Sequence, residues 1–470
     1  MKNNLLILYI LIISIFFNPV FGQDNFTFDV TEVEISENGN IFKGLKRGVA
    51  STDDSIFIEA DYFEYNKVTN ILNAKGNVII DDKLNNTKLF SEDITYLKNE
   101  EIIFTSSRSK AIDETTSIEG DQFEYNKVLN TLQAKGKVNI DNKVEDYKIF
   151  TDKINYEITN EKFFTIGDTE AIIQSKYNFK SKDVLFLKNE MKLSSFNKTV
   201  VEDDNSNIYK LDEFSYGINE KILKGKNILV ITNNSKPKSD RAYFANGIFN
   251  FENKEFLSKN TKIFFHKDIF DNERGIDNLK DLERSKNEKF KNKNDPRIYG
   301  TSSVGDKNKT VINKAVFTSC EKNDNCPAWS IKAKKITHDK NKKDIIYDNA
   351  VLKVYDFPVF YFPKFFHPDP TVKRRSGFLI PSFSDSKNLG GGISIPYFFD
   401  LGADKNFTLT NKFYVSENPL FLGEYHQAFK NSNLLTDFGY TEGYKKTNTK
   451  KREGRKSHFF TKIVNNFTDK

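Results

Sequence analysis

Alternation of apolar and polar residues dominates the first two thirds of the chain. In the stretch Ile58–Asp81, for example, Phe63 and Tyr65 fall on one side of a two-residue period. Such a period places alternate side chains on one face of a β-strand. Asn, Lys and Gly between the apolar stretches indicate turns. The pattern predicts many short antiparallel strands, each with one buried face.

The same stretch returns 60 residues later. IEADYFEYNKVTNILNAKGNVIID, from Ile58 to Asp81, matches IEGDQFEYNKVLNTLQAKGKVNID, from Ile118 to Asp141, without a gap. Looser copies follow as far as Leu257. Repeats that cannot bury a core alone are stabilised by stacking on their neighbours. The region from about 50 to 350 is therefore predicted to form a repetitive open jelly roll or solenoid.

The inward positions of these repeats are large and apolar, and periodicity favours the interpretation that they fill the core. The alternative is a V-shaped sheet whose inner face holds an acyl chain. The candidates for that lipid groove are Phe63, Tyr65, Leu72, Ile80, Ile94, Tyr96, Phe123, Tyr125, Leu132, Ile140, Ile154 and Tyr156. The same alternation predicts that Phe104 and Phe164 point inward.

The first 22 residues have the pattern of a secretory signal peptide. A short basic start precedes an apolar run of 13 residues, and small or neutral residues lead to cleavage after Gly22. A membrane anchor is the alternative, but the run is shorter than the roughly 20 residues of a spanning helix. The mature chain is therefore expected to be exported.

After about residue 377 the alternation lengthens to strands of about ten residues, such as FTLTNKFYV and FLGEYHQAF. Strands of this length with one apolar face are typical of transmembrane β-barrels. A soluble sandwich fits each strand nearly as well, and export favours the outer membrane. The chain supplies only about five to six such strands, whereas the smallest closed barrels have about eight.

Composition and charge exclude several function classes. The net charge of +6 arises from 71 basic and 65 acidic residues without a basic cluster, so no nucleic acid partner is expected. The segment 267–297 mixes both signs and is predicted to be a solvated insertion. No catalytic, phosphate-binding or metal-binding motif is present, so no enzyme activity and no cofactor are expected.

Two cysteines, Cys320 and Cys326, lie six positions apart. In an exported protein such a pair indicates a local disulfide. None of the five His residues lies within ten positions of the pair, so a metal site is not expected.

Four motifs resemble the LPS-assembly protein LptD family, also called OstA or organic solvent tolerance proteins. They are PAWSIKAKKITHD at 327–339, FPVFYFPKFFHPDPTVKRRSGFLIPSF at 357–383, NLGGGISIPYFF at 388–399 and PLFLGEYHQAF at 419–429. The repeats from 50 to 260 are similar to the family's periplasmic OstA-type domain.

The resemblance implies an all-β protein, with an N-terminal periplasmic OstA-type β-jelly roll followed by the first strands of an outer-membrane β-barrel. It implies that lipopolysaccharide arrives from a periplasmic bridge protein of the LptA type, and that a plug lipoprotein of the LptE type fills the barrel. Lipid would leave through a lateral barrel gate into the outer leaflet. The alternative function is a soluble periplasmic lipid carrier that uses only the jelly roll.

The resemblance also assigns site residues. Pro381 and Pro396 match the family's prolines at the barrel seam, where missing donors weaken strand pairing; the alternative is that they mark bends or edges. His367 and Asp369 fall in a rigid connection between domains. Three basic residues then follow, which could meet lipid phosphates or simply flank the first membrane strand: Lys373, Arg374 and Arg375.

Two departures from the family pattern stand out. The family's interdomain disulfide uses distant cysteines, and here the two cysteines are close in sequence. Most of the expected barrel is also missing after Lys470, so a C-terminally truncated member is expected.

The predicted division of the chain follows from these patterns. It comprises a signal peptide at 1–22, a linker at 23–49, a jelly roll at 50–355, a connection at 356–376 and the first part of a barrel at 377–470.

Overall fold

The computed structural model describes residues 26–52, 56–113, 115–232, 239–265, 296–320, 327–369, 372, 374–379, 381–386, 389–445 and 453–465. The predicted signal peptide and nearly all of the charged insertion at 267–297 lie outside the described residues. Two compact units, Met1–Asn260 and Thr261–Lys470, divide the chain. The secondary structure of the described residues is 33 strands and one short 3-10 helix, which confirms the all-β fold class.

The N-terminal unit contains twenty complete strands. They are β1 (Thr27–Ser36), β2 (Ile41–Ser51), β3 (Ile56–Asn66), β4 (Ile71–Asp82), β5 (Thr87–Leu97), β6 (Ile102–Phe104), β7 (Ser109–Asp113), β8 (Thr116–Gly120), β9 (Gln122–Asn126), β10 (Thr131–Asn142), β11 (Tyr147–Glu157), β12 (Lys162–Ile173), β13 (Tyr177–Lys182), β14 (Leu185–Leu187), β15 (Lys192–Ser195), β16 (Thr199–Glu202), β17 (Ile208–Leu211), β18 (Glu213–Gly217), β19 (Ile222–Ile231) and β20 (Arg241–Asn250). The 3-10 helix Glu37–Gly39 joins β1 to β2. Strand β21 (Glu255–Phe264) includes the division between the units.

The strands of the N-terminal unit stack as antiparallel rungs. Long strands such as β3, β4 and β5 pair in succession, and broken rungs pair in two pieces. Thus β8 and β9 both pair with β10, and β6 and β7 both pair with β5. The hairpins of the two 60-residue repeats are therefore equivalent, and stacking buries the apolar face of each.

Glycine forms the bend in the middle of each repeated rung. The pairing register shifts between Lys75 and Val78, and the equivalent shift in the second repeat follows Lys135. Gly76 and Gly136 lie at these bulges with φ values of +82° and +76°. A bulge bends its strand, and glycine adopts positive φ without the steric cost of a Cβ atom. The repeated AKG therefore sets the bend of each rung.

An arginine from the preceding rung contacts two carboxylates beside each of these bends. Arg47 donates to Glu59 at 2.9 Å and to Asp61 at 3.0 Å. Arg108 contacts the equivalent Asp121 at 2.9 Å in the second repeat. These ion pairs are solvent-exposed, so each contributes little to stability. They nevertheless fix the position of the aspartate that faces the bulge glycine.

Strands β1 and β2 occupy much of the segment 23–49, for which the sequence predicted a linker. Their alternation is short and interrupted by glycine and charged residues, which hid the pattern. Phe28 stacks on Phe42 with ring centroids 4.2 Å apart, and Phe26 packs against Tyr65. Aromatic contacts across the hairpin therefore attach this segment to the core.

The inward prediction is wrong for Phe104 and Phe164. The core contains their neighbours Ile103 and Phe163, and Phe164 is 39% exposed. Because both positions of each pair are apolar, alternation alone could not choose between the two registers. A one-residue difference exchanges the faces of a strand.

Tyrosine–carboxylate hydrogen bonds secure the turns between rungs. Tyr125 donates to Asp82 at 2.7 Å, and Tyr156 donates to Asp113 at 2.8 Å. Lys188 also contacts the Asp113 carboxylate at 3.1 Å. Burial raises the pKa of both tyrosines, and the neighbouring carboxylates raise it further.

The C-terminal unit contains two antiparallel sheets. The first comprises β22 (Arg297–Gly305), β23 (Lys309–Thr318), β24 (Trp329–Asp339), β25 (Asp344–Val354) and β26 (Phe357–Pro368), paired in this order. The second comprises β27 (Gly377–Phe378), β28 (Ser382–Ser386), β29 (Gly390–Gly402), β30 (Lys405–Tyr414), β31 (Leu420–Ala428), β32 (Ser432–Gly443) and β33 (Glu453–Asn465). Strands β29 to β33 pair in succession, and β27 and β28 both pair with β29.

The second sheet has the strand lengths predicted for the first strands of a barrel, with β29 to β33 spanning 9 to 13 residues. Strand β26 occupies the first part of the segment 356–376, for which an interdomain connection was predicted. Eight residues, 369–376, separate it from β27.

We expect Gly76→Ala to destabilise the mature chain more than Gly167→Ala. Both glycines have positive φ, which costs a residue with a Cβ atom about 1–2 kcal/mol. A Cβ atom at Gly76 would also lie 2.7 Å from the Asp61 carboxylate, whereas nothing lies within 4 Å at Gly167. Urea unfolding followed by circular dichroism measures both losses. Equal losses would mean that the contact with Asp61 is not a packing constraint.

We expect the free energy of unfolding to fall as the pH rises above about 10, the ordinary tyrosine pKa. The folded chain holds the protons of Tyr125 and Tyr156 more tightly than the unfolded chain does. This stability is therefore fully present below pH 10 and is lost at higher pH. Urea midpoints between about pH 8 and 11 measure the loss, which should be shallower in Tyr125→Phe. An unchanged slope in that variant would contradict the assignment.

Candidate functional site

The twelve lipid-groove candidates come together in the core of the N-terminal unit. All of them are at most 3% exposed and belong to one continuous apolar cluster. Phe63 lies opposite Ala74, and Phe123 lies opposite Ala134 at the equivalent position of the second repeat. Alternating large and small side chains therefore close the interior. An acyl chain could occupy this face only if the two sides of the core separated.

Polar side chains form a continuous buried row where the rungs bend. Ser109 donates to Ser91 at 2.9 Å, and Thr169 donates to Thr165 at 2.7 Å. The equivalent contact further along joins Ser181 to Thr199. Because these hydroxyls bond to one another and to nearby backbone groups, the bend is polar while the rest of the interior is apolar. This row of hydroxyl groups therefore marks where the apolar core ends at the bends.

An open apolar depression of about 500 Å³ reaches the core near the end of the N-terminal unit. Phe196, Ile248 and Leu257 line its exposed part, and Phe214 lines it from the core. Lysine side chains, including Lys192, stand at its rim. The depression is therefore an exposed apolar surface on paired strands.

Pro381 and Pro396 lie at one interruption in the second sheet. Phe378 pairs with Tyr397 and Ser382 pairs with Ser394. Between these two pairs lie three residues on the β27–β28 side but only two residues on β29. The ladder is therefore broken there. Pro381 precedes β28 directly, and Pro396 lies within β29 opposite this break.

The position where Pro396 lacks a backbone N–H faces β27, the first strand of the second sheet. Its carbonyl accepts from the Leu379 N–H at 2.9 Å, on the side of β27. The N and O atoms of one strand residue point to the same neighbour. Proline therefore removes a ladder bond between the first and second strands, while pairing of Pro396 with Thr410 on the other side continues.

His367 has a defined tautomer at the end of β26. Its Nδ1 lies 2.7 Å from the Pro368 carbonyl and can only donate there, so Nε2 accepts from the Tyr347 hydroxyl at 2.7 Å. Burial lowers the pKa of His367 and raises the pKa of Tyr347. Both side chains therefore stay neutral and serve packing at this end of the sheet.

Two ion pairs join the segment after β26 to the preceding strands. The buried Asp369 carboxylate contacts His338 Nε2 of β24, and its backbone N–H donates to the Lys343 carbonyl at 2.8 Å. Arg375 forms a bidentate ion pair with the Asp344 carboxylate. Planar bidentate pairs of this kind are the stronger class of charged hydrogen bond.

Arg374 contacts the second sheet. It donates to the Ala403 carbonyl at 3.1 Å and to the Lys405 carbonyl at 3.3 Å, and lies 3.8 Å from Asp400. Consecutive arginines therefore bind the two sheets of the C-terminal unit from one short segment. Lys373, the third basic candidate, lies outside the described residues.

The predicted disulfide cannot be placed, because Cys326 lies outside the described residues. Cys320 is half-buried, and its thiol lies 3.6 Å from the Trp329 carbonyl. The disulfide stays a prediction.

Sequence reasoning did not find Asp344 or His338, the partners of Arg375 and Asp369. Each pair is 31 residues apart, and neither partner belongs to a local motif. Only the strand register, which places the start of β25 beside the end of β26, could have identified them.

Within the described residues, no group of three or more His, Cys, Asp or Glu side chains is placed to hold a metal ion. No helix in the same part of the chain has the length and apolar character to cross a membrane.

Comparison with known proteins found several relatives described as LPS-assembly protein LptD. The protein from Nitrosococcus oceani is 35% identical over 116 residues, which is 25% of this chain and 15% of the relative. The protein from Francisella tularensis subsp. novicida is 35% identical over 149 residues, or 30% of this chain and 16% of the relative. The protein from Pseudomonas aeruginosa is 30% identical over 130 residues, or 28% and 14%. The matched region thus spans about a sixth of each relative's length or less.

A crystal structure of LptH from Pseudomonas aeruginosa, described as the LptA-homologous periplasmic component of a lipopolysaccharide transport device, aligns with 26% of this chain and 98% of LptH. The sequence identity is 13% and the TM-score is 0.24, which is too low to establish a shared fold.

No family model matches the chain. The matched region, 25–30% of this chain, is nevertheless similar at 30–35% identity to proteins of the LPS-assembly protein LptD family.

Proposed function

We propose that this chain transports and assembles lipopolysaccharide at the outer membrane. The N-terminal unit receives lipopolysaccharide in the periplasm, and the second sheet of the C-terminal unit forms the first strands of an outer-membrane β-barrel. Lipid enters the outer leaflet between barrel strands. The relatives' printed names describe LPS assembly and no enzyme activity, and we extend both to this chain.

The observation that carries the proposal is the broken ladder at Pro381 and Pro396. A sheet that stays closed needs a continuous ladder. A gate needs one pair of neighbouring strands that can separate at a low free-energy cost. Each missing backbone bond weakens that seam by about 1 kcal/mol. The seam lies between the first two strands, so it is placed at the end of the sheet where closure with later strands would occur.

The apolar core of the N-terminal unit supports the lipid-binding step. Its twelve buried candidates form one cluster that extends along the stack of rungs. Acyl chains are apolar, so exchange of side-chain contacts for acyl contacts keeps apolar surface out of water.

The charged segment after β26 has a positioning role in this proposal. Arg375 and Asp369 attach it to β24 and β25, and Arg374 attaches it to the turn between β29 and β30. The family's rigid connection between domains matches such a double attachment. Because the guanidinium of Arg375 is engaged by Asp344, we assign it to this connection and not to lipid phosphate.

The partners follow from the family. A bridge protein of the LptA type delivers lipopolysaccharide to the periplasmic side, and a lipoprotein of the LptE type plugs the barrel. Export depends on the signal peptide at 1–22. The chain is placed in the outer membrane, with its N-terminal unit in the periplasm.

We expect the double variant Pro381→Ala, Pro396→Ala to slow delivery of lipopolysaccharide to the cell surface. Restoring about 1 kcal/mol at each position lowers the open population of the seam by roughly an order of magnitude or more. Pulse-labelled lipid that becomes accessible at the surface of intact cells measures the rate. Pro419→Ala, in the turn before β31, is the control. Equal rates in the double variant and the control would argue against the gate.

We expect a photo-reactive phenylalanine analogue at Phe63, Tyr96 or Phe123 to form adducts with lipopolysaccharide in cells. The same analogue at Glu64, on the opposite face of β3, should not, because that face does not line the core. Adducts are detected by an antibody to lipopolysaccharide after illumination. Similar yields on both faces would exclude the groove.

A further inference from the structure

Strand β26 exposes an unusual amount of apolar surface. Its sequence is FPVFYFPKFFHP, and five of its side chains are between 54% and 77% exposed. We call these five the aromatic edge: Phe357, Val359, Phe360, Tyr361 and Phe366. Soluble proteins rarely expose this much apolar side chain from one strand, and larger exposed patches mark interaction sites.

The other side of the same strand is already used. Phe362 and Phe365 pack against the core of the first sheet, and His367 hydrogen bonds to Tyr347. Strand β26 is therefore held in place by one face while Tyr361 and Phe366 point away from the core.

A second peptide strand is a poor occupant for this edge. Among the described residues β26 pairs only with β25, so its far side is an open edge. Pro358, Pro363 and Pro368 recur along it at five-residue intervals, and each lacks a backbone donor. Prolines on an edge strand oppose pairing with another chain. The contact surface is thus the side chains and not the backbone.

The outward face of the first sheet combines apolar and charged side chains. One cross-strand row runs from Tyr361 to Val351 and then to Lys332. The next runs from Lys364 to Asp348 and Lys335, where the last two form an ion pair of 2.8 Å. On the edge strand itself Lys364 lies between Tyr361 and Phe366, and Lys332 lies two strands behind this edge.

The surface of a lipid bilayer accommodates aromatic and cationic side chains side by side. Aromatic side chains favour the boundary between headgroups and acyl chains, and lysines favour the phosphates just outside it. Only eight residues separate β26 from β27, and an extended chain of that length spans at most about 28 Å. If the second sheet is in the membrane, β26 cannot be far from its surface.

We propose that the aromatic edge docks on the periplasmic surface of the membrane and inserts into the headgroup–acyl boundary, with Lys332 beside anionic phospholipid phosphates. This inference rests on the proposed function for the membrane location of the second sheet. It adds a second attachment to the bilayer, outside the barrel strands, which orients the first sheet of the C-terminal unit against the membrane.

Depth-dependent quenching tests the proposal in the full mature chain. Trp329 is the only tryptophan, so Trp329→Phe gives a silent background. Tyr361→Trp is then reconstituted in vesicles of phosphatidylcholine and phosphatidylglycerol with or without brominated acyl chains. Phe57→Trp is the matched control, because Phe57 is an exposed aromatic residue of the N-terminal unit.

We expect bromine to reduce the emission from Tyr361→Trp about twofold or more, as for a side chain at the acyl boundary, and to leave the emission from Phe57→Trp unchanged. Adding Lys332→Gln should weaken the quenching in vesicles with phosphatidylglycerol but not in pure phosphatidylcholine. Equal, weak quenching at both positions would overturn the proposal. Cross-links between copies from a photo-reactive group at Tyr361, without quenching, would overturn it in favour of self-association.

This test contains no lipopolysaccharide, so it separates the two proposals. Quenching at Tyr361→Trp, together with equal lipopolysaccharide delivery in the proline double variant and its control, would retain the docking edge and reject the gate. Normal delivery without quenching would reject the docking edge alone.

Discussion

The backbone hydrogen-bond ladder between antiparallel strands is the constraint on which this structure depends. Every rung of the N-terminal unit obtains its partners from the rungs before and after it, and no single repeat can satisfy its own backbone. Because the ladder fixes the register, it also fixes which side chains face inward. The continuous core, the polar row at the bends and the tyrosine–carboxylate contacts at the turns all follow from it.

Because the structure depends on this ladder, the two places where it is broken or left open are candidates for function. At Pro396 the backbone gives up a bond toward the first strand while it keeps pairing with Thr410. At β26 the ladder ends, and prolines prevent its continuation by another chain. The break at Pro396 makes a weak seam between two strands, and the prolines of β26 keep its outer edge unpaired. Both effects result from the missing proline N–H.

The lipid path in the proposed function requires the core to change. The interior is closed by aromatic and aliphatic side chains such as Phe63 and Tyr96, both fully buried. The bends of the rungs, where glycine and an exposed arginine–aspartate pair meet, are more lightly held than the aromatic interior. Separation of the two sides about these bends would keep each half of the ladder intact. The charged segment after β26 would then keep the two sheets of the C-terminal unit attached while the N-terminal unit opens.

The sequence by itself determined the all-β class, the 60-residue repeat and most inward positions, because a two-residue period and a local repeat are local properties. It also identified Pro381 and Pro396 as a pair through family resemblance. It could not choose between Phe163 and Phe164, because both are aromatic and only the pairing register decides which is buried. It could not find the contact of Arg375 with Asp344, or the opposed positions of the two prolines, because these depend on which strands become neighbours. Those neighbours are decided by the tertiary structure, where distant backbone groups must all find partners at once.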